Sequence, residues 1–99
     1  MNRETNIEQF EELMSTIERP GIDKLMDYIR KSDFYTAPAS TKFHLSCKGG
    51  LLQHSLNVYE AMKHRLEMEG DGLVYKVAGH IVAKIDEDSL KIVTLLHDL

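Results

Sequence analysis

The chain has 99 residues, enough for one domain with a modest core and too few for two. A 42% hydrophobic and 28% charged composition excludes a disordered tail, and a net charge of −4 with no basic stripe excludes an extended nucleic-acid surface. A single cysteine, Cys47, excludes an internal disulfide and fits a cytoplasmic protein; Met1 to Phe10 is too polar for a signal peptide, and no apolar run reaches the roughly 18–20 residues that cross a bilayer.

Thr5, with Glu8 three residues on, reads as a capping box. Phe10, Leu13, Met14 and Ile17 follow at helical spacing, which predicts a helix over 6–18 that Pro20-Gly21 ends. Ile22, Leu25, Met26 and Ile29 predict a second helix over 22–31, with Arg30 and Lys31 suited to its negative end. Residues 32–50 form an irregular connection. It is long for a small domain, and loops of that length are commonly functional. A third helix is expected from about 50 to 68, with Leu52, Ser55, Leu56, Tyr59, Met62 and Leu66 on one face.

Gly70-Asp71-Gly72 marks a turn. Residues 73–85 carry two patterns. Val74, Val77, Ala78, Ile81, Val82 and Ile85 fit a helix, whereas Leu73, Tyr75, Val77, Ile81, Ala83 and Ile85 read as a strand. Helix is the preferred reading, although Val and Ile favour strands and Gly79 weakens a helix. Asp86-Glu87-Asp88-Ser89 supplies an acidic helix start, and Leu90, Ile92, Val93, Leu95 and Leu96 carry a last helix to the chain end. The expected fold is therefore all-α: one domain over 1–99, with N-terminal helices in 1–31, a loop in 32–50, and the candidate site on the helices of 51–99.

Two histidines stand out. Leu51, Val58 and Ala61 share a side of the third helix with His54, and Leu90 and Val93 share one with His97. An inward histidine needs partners for both ring nitrogens, whether from the core or from a metal. Asp98 lies among Leu95, Leu96 and Leu99, where a carboxylate is costly unless it is paired, coordinated or at an exposed helix end. Two imidazoles and a carboxylate suit a divalent transition metal with positions left for water.

Gly49-Gly50-Leu51-Leu52-Gln53-His54-Ser55-Leu56-Asn57-Val58 resembles the first-histidine helix of HD-domain metal-dependent phosphohydrolases. The run from Leu90 to His97-Asp98-Leu99 resembles their His-Asp helix, and the spacing from His54 to His97 is typical of that family. Lys42-Phe43-His44 is similar to a subgroup with a histidine shortly before the Gly-Gly turn, which includes the HD domain of some 3′–5′ exoribonucleases.

The resemblance implies an all-α HD-type bundle. His54, His97 and Asp98 would bind a divalent metal (Mn, Mg, Fe, Ni, Co or Zn) and form the catalytic centre that hydrolyses a phosphoester. The substrate it implies is a small phosphorylated molecule, a nucleotide or a nucleic-acid end. His44, Lys42 and Lys48 would be substrate contacts, although all three also read as ordinary loop residues. The family's further aspartate lies downstream of the His-Asp pair and has no counterpart here, so the chain is expected to be an incomplete fragment. A non-catalytic nucleotide- or metal-binding module is the alternative, and a small helical interaction protein with both histidines in its core is a third. The apolar face of the last helix is where a second copy could dock as a homodimer.

Overall fold

A computed structural model describes residues 2–38, 47–70, 72–97 and 99. Helices α1 (Arg3–Ser15), α2 (Ile22–Lys31) and α3 (Gly50–His64) are followed by strands β1 (Glu67–Glu69), β2 (Gly72–Val77) and β3 (His80–Ile85), then by α4 (Glu87–Leu96). The three strands form one antiparallel sheet in the order β1-β2-β3.

The sheet overturns the all-α expectation, and residues 73–85 are its main part. The β-branched and aromatic content of the segment won over its helical period. Leu73 pairs with Ile85 and Tyr75 with Ala83, while Leu73 and Val74 are buried. Ala78 and Gly79, which a helix would have to absorb, turn the chain with φ of +52° and +81°. Positive φ at both central residues is the hairpin geometry that matches strand twist. The third helix is also shorter than its apolar face implies. It stops at His64, and Met68 falls in β1, 68% exposed. Glu67 and Glu69 of β1 reach Lys76 of β2 at 3.1 and 3.9 Å, an exposed cross-strand ion cluster.

The first helix starts earlier than the capping box predicts. Asn2 is the cap, its Oδ1 accepting the Thr5 N–H at 3.0 Å, so Thr5 lies within the first turn. The second helix occupies the predicted residues. At α4, Asp86 is the cap and accepts the Ser89 N–H at 2.6 Å. That helix ends at Leu96, with His97 as its C-cap.

Buried side chains of every helix meet in one core: Phe10 and Met14 of α1, Met26 and Ile29 of α2, Leu52, Leu56 and Tyr59 of α3, and Leu90 and Leu95 of α4. Phe34 and Leu73 close it. Specific contacts fix the helix directions. Asn6 Nδ2 donates to Gln53 Oε1 at 2.8 Å and Gln9 Nε2 to Glu60 Oε1 at 3.4 Å, so α1 and α3 run the same way. Lys63 at the end of α3 meets Glu87 at the start of α4 at 3.6 Å. Glu18 and Arg19, just past α1, bond Asp88 and Asp86. Hence α4 runs against both, and its C-terminus returns to the end where α1 and α3 begin.

Candidate metal centre

That shared end holds the histidine pair. Their ring centres are 5.4 Å apart, with planes inclined by 57°. The register of α3 against α4 produces the meeting. From His54 to Lys63 is nine residues, and from Glu87 to His97 is ten. At 1.5 Å per residue both spans are about 14–15 Å. The pair Lys63–Glu87 at one end therefore places His54 beside His97 at the other.

Neither histidine belongs to the core. His54 is half-buried and His97 exposed. The inward placement read for His97 is corrected by Val93, one turn earlier and 61% exposed. The face of α4 that enters the core carries Leu90, Lys91, Thr94 and Leu95 instead. This disfavours the reading in which both histidines are core residues.

His97 Nδ1 lies 2.7 Å from the carbonyl oxygen of Thr94. A carbonyl can only accept, so Nδ1 carries a proton, and in the neutral ring Nε2 is the nitrogen with the lone pair. The contact also satisfies one of the carbonyls that a helix end leaves without a partner. The sequence reading missed the Thr94 carbonyl. Its signal was positional, three residues before a histidine at a helix C-terminus.

The remaining sequence candidates divide. Asp98, His44 and Lys42 lie outside the described residues. Lys48 is exposed just before α3 and shares a concavity with Asn2, Arg3 and Glu4 at the same end of the helical layer. Gly49 is the left-handed N-cap of α3, with φ of +84°. An added Cβ there would sit 3.2 Å from the Arg3 side chain. The backbone around the start of α3 is already engaged. Gly49 N–H donates to Thr36 O, Gly50 N–H to Cys47 O and Leu51 N–H to Ala37 O, at 2.8–3.0 Å. A phosphate near this end would therefore rely on Lys48 and Arg3 more than on those amides. Gln53 Nε2 donates to Asn57 Oδ1 at 2.8 Å, which extends the bond from Asn6 along α3 and commits Gln53 to the α1–α3 seam. His64 and His80 are exposed, away from the pair.

Imidazole nitrogens are suitable donors for a divalent transition metal. Two rings on one tetrahedral ion, with metal–nitrogen bonds of about 2.0–2.1 Å, keep their centres roughly 5 Å apart. The observed spacing fits. Among the described residues no group of three or more His, Cys, Asp or Glu side chains gathers, so the described part of the site is a two-nitrogen donor set. Among them, too, no helix is long and apolar enough to cross a membrane.

Comparison with protein-family models, with curated proteins and with solved structures gives no match.

Proposed function

We propose that the chain carries the metal site of an HD-type phosphohydrolase that acts on a small phosphorylated substrate, with a nucleotide as the leading class. The observation that carries this reading is the approach of His54 and His97, from helices far apart in sequence, to a spacing that one ion can bridge. With Asp98 they form the proposed ligand set for a divalent ion. Such an ion, when bound, supplies Lewis acidity at a phosphoryl oxygen and lowers the pKa of a coordinated water. The chain's own residues do the rest. The Thr94 carbonyl holds the His97 ring, and the α3–α4 register holds His54 opposite it. Lys48, with His44 and Lys42 from the same connection, is the proposed phosphate contact.

Phosphate release from a panel of nucleotides, with Mn²⁺, Mg²⁺, Ni²⁺ or Zn²⁺ added, tests the proposal. Metal-dependent turnover that is lost in His54→Ala and in His97→Ala supports it. Turnover unchanged in either variant defeats it.

A non-catalytic metal- or nucleotide-binding module is the second reading. Metal-dependent nucleotide binding without phosphate release would select it.

A further inference from the structure

We infer that the Thr94 carbonyl is a positioning group: it locks His97 in the Nδ1–H tautomer and so dedicates Nε2 to the ion shared with His54. The inference rests on the proposed metal site and adds to it which ring nitrogen does which work. The basis is geometric. Nδ1 and the Thr94 oxygen are 2.7 Å apart, and the carbonyl has no proton to give. Thr94 is itself held, 2% exposed, with its hydroxyl donating to the Leu90 carbonyl at 2.7 Å. The last turn of α4 is thus anchored from the core outward: Leu90 carbonyl, Thr94 hydroxyl, Thr94 carbonyl, His97 ring. A ligand on an exposed helix end would otherwise rotate freely. Here the backbone limits that rotation, as outer hydrogen bonds do for ligating histidines in general.

Two substitutions separate the nitrogens. The amide of His97→Asn can place a donor where Nδ1 lies, whereas the amide of His97→Gln reaches toward Nε2. His97→Asn should keep a melting temperature near that of the parent chain and lose Zn²⁺ binding. His97→Gln should lose the bond to Thr94 and melt lower, as should His97→Ala. Nitrogen-15 NMR of the metal-free protein at alkaline pH should show a protonated Nδ1 and a pyridine-type Nε2 for His97, and added Zn²⁺ should shift Nε2 alone. A protonated Nε2, or a His97→Asn variant as unstable as His97→Ala, would overturn the inference. The expected tautomer with an Nε2 signal that Zn²⁺ leaves unmoved would instead defeat the metal-site reading and leave the Thr94 assignment standing.

Discussion

Tyr35 donates its hydroxyl to Glu11 Oε2 at 2.6 Å, tying the segment after α2 back to the middle of α1. Arg30 grips the same carboxylate through Nε at 3.1 Å and Nη2 at 2.6 Å. The Arg30 hydrogen bond, then that of Tyr35, holds the Glu11 carboxyl below its ordinary range. A depressed folded-state pKa adds stability that is present above the unfolded pKa and is lost as pH falls through the folded one. Thermal melts from neutral pH into acid should therefore show Glu11→Gln less stable than the parent chain at neutral pH and its stability less dependent on pH on the acid side. Tyr35→Phe should cost about 1 kcal/mol at neutral pH, below the roughly 1.5–3 kcal/mol of a hydrogen bond to a charged group because the carboxylate is partly exposed. Parallel acid limbs for parent and Glu11→Gln would show that Glu11 carries no such linkage.

Ser55 lies on α3 beside His54, and its Oγ is buried without a hydrogen-bond partner among the described residues. A buried hydroxyl left unsatisfied costs roughly 1–3 kcal/mol. Ser55→Ala should then raise stability by about 1 kcal/mol, which for a chain of this size moves the melting temperature up by about 4–8 °C. A lower melting temperature would reveal a partner, such as an ordered water, for that hydroxyl.

Ala78 holds φ of +52° in the β2–β3 turn, a conformation costly for a residue with a Cβ and readily taken by Asn or Gly. Ala78→Asn should stabilise the chain by about 1 kcal/mol without changing the sheet, because the side chain is exposed. Denaturant melts decide this: an unchanged midpoint would mean that the hairpin does not unfold with the rest of the chain.

The same turn shows why the sheet was hard to read from sequence. Val77, Ala78, Ile81 and Val82 sit at spacings that satisfy a helical period by residue type alone. An Asn-Gly turn would have declared the hairpin, whereas Ala78-Gly79 did not. A bulge compounds the difficulty. Tyr75 pairs with Ala83 but Lys76 with Ile81, so Val82 is an extra residue that breaks strict alternation. The second helix and the acidic start of α4 were readable because end chemistry and apolar period agreed there. His54 and His97 were singled out as candidates by the residues around them. Their distance from one another was not legible, since it depends on the register between α3 and α4. The exposure of His97 was missed because Val93 looked like a core residue and instead faces solvent.

His54 and His97 are proposed to serve one ion. Calorimetric titration of Zn²⁺ or Mn²⁺ into the parent chain, His54→Ala, His97→Ala and the double variant tests it most directly. The parent chain should bind one ion, and affinity should weaken by at least about 10–100-fold in each single variant, since losing a ligand should cost no less than losing a residue behind it. The double variant should be little worse than either single one, because the two residues act on the same ion. Parent-like affinity in either single variant would contradict a shared site.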